Sequence, residues 1–218
     1  MSKLHFLHSG GDKVTLTTPT NNPSTNPVFK LPQTDGSSGQ AMVTDGSGAL
    51  SFANIPPTAL YQSYAVVCDK KAPNAQGGTS QTGGFYQRDL NHEILDPDNI
   101  VSLSSNHFVL QAGTYRIQWN CPFYESGRAS TELVTVANSG SGGATRIAIG
   151  ACAWSGATGT SENHAQDRSV GWHRVTISSE TYFAIRYQCG GSTGTYGLGV
   201  ESQYTDSIYT VVEIFKEA

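Results

Sequence analysis

Two segments of this chain gather side chains suited to acid–base or metal chemistry. Ser161–Ser169 (SENHAQDRS) brings Glu162, His164 and Asp167 close together. An imidazole beside two carboxylates can ligate a metal or move a proton. The segment is polar and sits between strand-like runs, so a solvated loop is the plainer reading. Leu90–Asn99 (LNHEILDPDN) offers His92, Glu93, Asp96 and Asp98. Oxygen ligands at this spacing could hold calcium, but the glycine of a calcium loop is missing. Asp96-Pro97-Asp98-Asn99 is also a good turn in its own right.

Gly190–Gly194 (GGSTG) matches Gly-x-Ser-x-Gly. A nucleophile elbow needs a strand before it and a helix after it. Here TYGLGVESQY follows, which reads as another strand, and a chain with 24 glycines produces such matches by chance. The tetrapeptide Thr-Asp-Gly-Ser occurs twice, at Thr34–Ser37 and Thr44–Ser47. Calcium-binding β-helix repeats need a nine-residue period with fixed Asp and Gly slots; this repeat has the wrong period and one Asp per copy. A glycan depolymerase would need two carboxylates about 5–9.5 Å apart in a cleft. Glu162/Asp167 and Asp96/Asp98 are the pairs to consider. No phosphate loop or dinucleotide motif appears, and the reading is of a non-enzyme with no cofactor and no metal.

The elements that would position these groups are strands. In Gly113–Tyr124, Tyr115, Ile117, Trp119 and Cys121 alternate with Thr114, Arg116, Gln118 and Asn120. Phe183, Ile185, Tyr187 and Cys189 alternate in the same way with Arg186 and Gln188. A period of two marks a half-buried antiparallel strand. STELVTV, TRIAIGACAW, GWHRVTI and IYTVVEIFK extend the set, and no amphipathic helix appears. Some eight to ten such strands imply a two-sheet sandwich or jelly roll.

The last strand carries apolar side chains on both faces. Ile208, Val212 and Ile214 share one face; Tyr209, Val211 and Phe215 share the other. One face meets the core, and a partner subunit is the simplest cover for the second. These six are the candidate interface residues.

Residues 59–84 form a transition: a buried strand, YAVVCDK, and a long loop, APNAQGGTSQTGG. Residues 1–58 differ from the rest. Short extended pieces (KVTLTT, VFKL, AMVT) are separated by Asn-Pro and Asp-Gly turns. Large apolar residues are too few to offset the ordering entropy of a lone chain. Leu16, Val28, Phe29, Leu31, Met42, Val43, Leu50 and Phe52 recur between the turns, as an attachment arm that borrows its core from neighbours would require.

Composition narrows the partners. The net charge of −4 gives no basic surface for nucleic acid. No apolar run is long enough to cross a membrane, and no secretory signal is visible. Cys68, Cys121, Cys152 and Cys189 are far apart in the chain, and Cys121 and Cys189 fall in apolar alternation, as buried free thiols do.

FKLPQTDGSSGQAMVTDGSGALSFA resembles a segment of bacteriophage tail-fibre and other virion proteins, upstream of a distal head. KAPNAQGGTSQTGGFYQRDLNHEILDP, then VSLSSNHFVLQAGTYRIQWNCPFY and the closing YTVVEIFKE, resemble the C1q/TNF-like jelly-roll head of phage fibres over about residues 62–218. The resemblance implies an all-β chain: an extended N-terminal β arm or stalk (residues 1–58) before a ten-stranded jelly roll (residues 59–218). It also implies a homotrimer around a threefold axis, without catalytic residues, located in the virion and assembled in the bacterial host cytoplasm. Its partners would be itself and other virion proteins of the tail or the major capsid protein.

Two roles follow. As a fibre or spike, the head would bind a host surface glycan or protein through Tyr- and Trp-bearing loops. As a capsid decoration (cement) protein, the arm would clamp neighbouring capsid subunits by strand addition. Family association favours the first, and the shortness of the arm favours the second.

Overall fold

A computed structural model describes residues 3–7, 9–17, 28, 30–55, 60–137, 143–157 and 165–217. It is all-β, with no helix among those residues. The chain divides into two compact units, Met1–Thr58 and Ala59–Ala218.

Among the described residues of the N-terminal unit are two hairpins: β1 (Lys3–Leu7) pairs with β2 (Lys13–Thr17), and β3 (Gln40–Thr44) with β4 (Leu50–Asn54). The second Thr-Asp-Gly-Ser copy is the β3–β4 connection. Asp45 Oδ1 accepts the N–H groups of Ser47 and Ala49 at 2.7 and 3.1 Å. The carboxylate thus ties the loop to itself, as Asp does in turns. Lys30 adds on beside Ala49 as a parallel bridge. At Gly48 the backbone has φ +94°, and a Cβ would overlap the Val28 carbonyl oxygen, so only glycine lets this approach occur. The first copy does different work: Gln40 folds back onto it, its Oε1 accepting the Ser37 N–H at 2.8 Å.

The head contains β5 (Tyr61–Lys71), β6 (Tyr86–Gln87), β7 (His92–Leu95), β8 (Val101–Ser104), β9 (His107–Leu110), β10 (Gly113–Tyr124), β11 (Ser126–Val136), β12 (Thr145–Ile149), β13 (Ala153–Ala157), β14 (Gln166–Ile177), β15 (Thr181–Cys189) and β16 (Ser207–Glu217). One sheet runs β14-β10-β16-β5-β7, and the other β12-β11-β15-β9-β8. The short strands β13 and β6 pair with β11 and β15. All the pairings are antiparallel. From β10 onward the long strands alternate between sheets (β10, β14 and β16 in one, β11 and β15 in the other), and the first and last long strands of the head, β5 and β16, pair at the middle of one sheet. That winding is a jelly roll.

Alternation along β10 and β15 delivers the core. Tyr115, Ile117, Trp119, Cys121 and Phe123 face Phe183, Ile185 and Tyr187, joined by Val212 and Ile214 of β16. Trp119 reaches across the sandwich, donating Nε1–H to Thr131 Oγ1 at 2.7 Å. Its indole lies over Gly171, its register partner on β14. A Cβ there would overlap the ring and sit 2.6 Å from Cη2. The glycine leaves the space that the indole fills.

Two glycine-rich segments lock together at one part of the head. Gly77 and Gly78 donate N–H to Gly199 O and Thr195 O, Ser80 to Thr193 O, and Leu198 to Gly78 O. The loop APNAQGGTSQTGG is thus paired backbone to backbone with residues 193–199. Arg88 lies at the same junction, 1% exposed. Its guanidinium stands over the Phe123 and Tyr187 rings at 5.3 and 5.7 Å from their centroids. Nε donates to Thr210 Oγ1 at 2.8 Å and Nη2 to Leu198 O at 3.0 Å. Ring faces and carbonyl dipoles take the place of a directly paired carboxylate. Burial lowers its pKa from the ordinary arginine value.

Candidate functional site

The outer face of the β14-β10-β16-β5-β7 sheet forms the candidate site. Strand register builds it in rows. Trp172 lies beside Gln118, then Glu213 and Val66; Arg174 lies beside Arg116, then Phe215 and Tyr64. Val170, Asn120 and Val211 form a third row.

Aromatic rings occupy one end. Phe215 packs between Tyr61 and Tyr64, with centroids 4.9 and 4.7 Å away. The polar groups between the rings bond to one another. Arg116 Nη1 donates to Tyr61 Oη at 3.1 Å and Nη2 to Gln118 Oε1 at 2.9 Å. Gln118 Nε2 and Tyr64 Oη donate to the two oxygens of Glu213 at 3.3 and 2.8 Å. Burial, reinforced by Glu213, pushes the Tyr64 hydroxyl up to about 12, so it remains a donor. Arg174 grips Glu217 with two bonds of 2.7 and 2.6 Å. The hydrogen bond from Arg174 holds the Glu217 carboxyl below its ordinary value. Arg116 and Arg174 are thus set against Glu213 and Glu217 around the rings, and Arg168, on the same face of β14, adds a third arginine whose Nη1 donates to Asn120 Oδ1 at 3.2 Å. Trp172 stands out of the face, 69% exposed. Beside it lies a groove of about 440 Å³ lined by Gln118, Asn120, Val170, Gly171, Val211 and Glu213.

The six candidate interface residues of the last strand divide between the faces differently from simple alternation. The register of β16 against β5 shifts between Ile208 and Val211. A bulge exchanges the faces of the residues on either side of it. Tyr209, Val212 and Ile214 are buried in their own chain, Tyr209 donating its hydroxyl to Ala75 O at 2.6 Å. Val211 and Phe215 lie on the outer face. Ile208, on the far side of the bulge, is exposed. Alternation alone assigned Ile208 and Tyr209 to the wrong sides.

The proposed arm residues divide similarly. Val28, Leu31, Met42 and Val43 are exposed, while Leu50 and Phe52 are half-buried. The Leu16 side chain and Phe29 lie outside the described residues.

Each motif considered for chemistry has a structural occupation where it is described. Asp96 accepts the N–H groups of Ile100 and Val101 with its two oxygens, both at 2.9 Å. Asp98 accepts the Ser63 hydroxyl at 2.7 Å. Ser192 donates to Ser80 O at 2.9 Å, inside the paired glycine segments, and turns rather than a helix follow it. Asp167 accepts the backbone N–H groups of Trp154 and Arg168, both at 2.7 Å. Glu162 and His164 lie outside the described residues. Among the described residues no three His, Cys, Asp or Glu side chains cluster as metal ligands would.

Sequence reading missed Tyr61, Tyr64, Arg116, Glu213 and Trp172 as one surface. The alternation of β10 and β14 already turns Arg116 and Trp172 outward. Which strands lie side by side was the missing information.

No family model matches the chain, and no curated protein matches it. Solved structures are similar over about seven-tenths of the chain. Murine APRIL at pH 5.0 aligns with 6% identity and a TM-score of 0.46, over 71% of this chain and 98% of that one. Eiger TNF from S. frugiperda aligns with 11% identity and a TM-score of 0.43, over 72% and 94%. The globular domain of zebrafish complement 1qA aligns with 13% identity and a TM-score of 0.41, over 71% and 96%.

Proposed function

We propose that this protein is a non-enzymatic, homotrimeric structural component of a bacteriophage virion. Its N-terminal unit docks on the particle, and its jelly-roll head projects as a fibre or spike that binds the host surface. The observation that supports self-association is the outer face around Phe215. Two of its three arginines are set against Glu213 and Glu217, and apart from the buried Arg116 Nε the polar groups around Phe215 bond to one another, so a second copy can cover that end with little charge to strand. The virion assignment rests on the sequence resemblance of residues 29–53 and of the head.

A second role, capsid decoration, draws on the N-terminal unit. Among the described residues its β3–β4 hairpin pairs with no further strand beyond the Lys30 bridge, and Leu31, Met42 and Val43 are exposed there. Open edges and apolar side chains suit strand addition onto neighbouring subunits.

Two measurements test these readings. Sedimentation equilibrium of the full chain should give roughly three times 23.2 kDa; a stable monomer at micromolar concentration removes the trimer. Labelled antibody on intact particles should then find the protein. A few dozen copies at the tail support the fibre role, hundreds over the capsid support decoration, and its absence from particles rejects both.

A further inference from the structure

A second groove lies away from the Phe215 face. It is an open groove of about 790 Å³, within the size range of small-ligand sites. It is bordered by β11, β13 and β15, with Asp167 of β14 at its rim. Trp154, 56% exposed, is the register partner of Arg128, whose guanidinium packs over the indole at 5.4 Å from its centroid. On the adjacent pair, Ser130 faces Gln188.

The two faces of the head differ in how their polar groups are used. Around Phe215 the arginines, glutamates and glutamine bond to one another. In the groove, the Arg128 guanidinium, Ser130 hydroxyl and Gln188 amide have no hydrogen-bonding partner among the described residues. Asp167 uses one lone pair on each oxygen for backbone N–H groups and retains the others. The groove therefore offers one exposed aromatic plane with uncommitted donors and acceptors beside it.

We propose that this groove is a saccharide site for a neutral hexopyranose of one or two rings. A pyranose has a C–H face that lies flat on an indole, and a rim of hydroxyls that each donate and accept. Gln188 and Ser130 can do both, Arg128 donates, and Asp167 accepts. A purely apolar peptide would bury these four groups unpaired, at a cost of about 1–3 kcal/mol each. A phosphate-bearing ligand meets the Asp167 carboxylate and a net charge of −4. The inference deepens the host-binding reading and needs the trimer only in that copies pack through the other sheet, which leaves the groove open.

The test uses the full-length protein and methyl glycosides of glucose, galactose, mannose, N-acetylglucosamine and glucuronic acid, with their common disaccharides. Tryptophan fluorescence and heteronuclear NMR follow each titration. At least one neutral glycoside should bind saturably, and Trp154→Ala should weaken it tenfold or more. Gln188→Ala should weaken it severalfold, and Tyr204→Ala, on an exposed loop, should leave it unchanged. Alkylating the exposed Cys152 at the groove wall with a bulky maleimide should block binding without any substitution. No saturable binding, binding indifferent to Trp154→Ala and to alkylation, or binding of the glucuronide alone overturns the proposal. Sedimentation of the same samples reports the trimer separately, so the two readings fail independently.

Discussion

Phe215→Arg is the sharpest perturbation of the proposed trimer. Phe215 points away from the core, so Val212 and Ile214 keep their packing. Its ring contacts Tyr61 and Tyr64, and its register partner is Arg116, with Arg174 next in the row. The substitution removes the central ring and adds a cation beside Arg116 and Arg174. Truncating a central aromatic anchor costs about 2 kcal/mol or more per interface. A closed trimer contains the interface three times, so the total is about 6 kcal/mol, a factor on the order of 10⁴ in the association constant. Because that constant scales with the square of concentration, the midpoint of dissociation should rise about a hundredfold. Within the chain, loss of two ring contacts costs about 1–3 kcal/mol, which far-ultraviolet circular dichroism and a melting curve would register as a lower but cooperative transition. Sedimentation velocity across a thousandfold range of concentration, with Tyr204→Ala as the reference, reads the shift. If the variant stays folded and dissociates at the same concentration as the parent, this face is not the interface.

Other consequences follow from the interior. Gly171→Ala should push the Trp119 indole off Thr131; overpacking of about 1–3 kcal/mol adds to a lost buried hydrogen bond, and denaturant titration should show a loss of about 2–5 kcal/mol, while Gly194→Ala, with open space around it, should cost less than about 1. Cys68, Cys121 and Cys189 are buried, and burial raises all three thiols, Cys68 to about 11, so a thiol reagent at neutral pH should titrate Cys152 alone until the protein is unfolded. Because Cys68 and Tyr64 hold their protons more tightly when folded, the unfolded chain loses its protons first, and stability should fall as pH rises from about 9 towards 12. Tyr64→Phe should lessen that fall above about pH 10, where Tyr115, Tyr187 and Tyr209, also raised by burial, supply part of the rest, visible in melting temperatures across the range.

The alternating pattern made β10, β15 and the all-β class legible, because burial of one sheet face imposes a period of two on every strand that shares it. Tyr115, Ile117, Trp119, Phe183 and Ile185 could be read as core from that period alone. The tie between Asp45 and its own loop was also within reach, since Asp-Gly turns are local chemistry. Three features were not. The bulge in β16 depends on how β16 lies against β5, a strand nearly the whole head away in the chain, so the exchange of Ile208 and Tyr209 left no local trace. Arg88 reads as a surface cation in its own segment; Phe123, Tyr187, Thr210 and Leu198 come from distant segments to receive it. The Trp154 groove joins β11, β13 and β15 with Asp167 of β14, none of which announces the others. Side-chain periodicity is a property of one strand and its burial. A surface or a buried charge site is a property of several strands brought into register, and that juxtaposition exists only once the sandwich has closed.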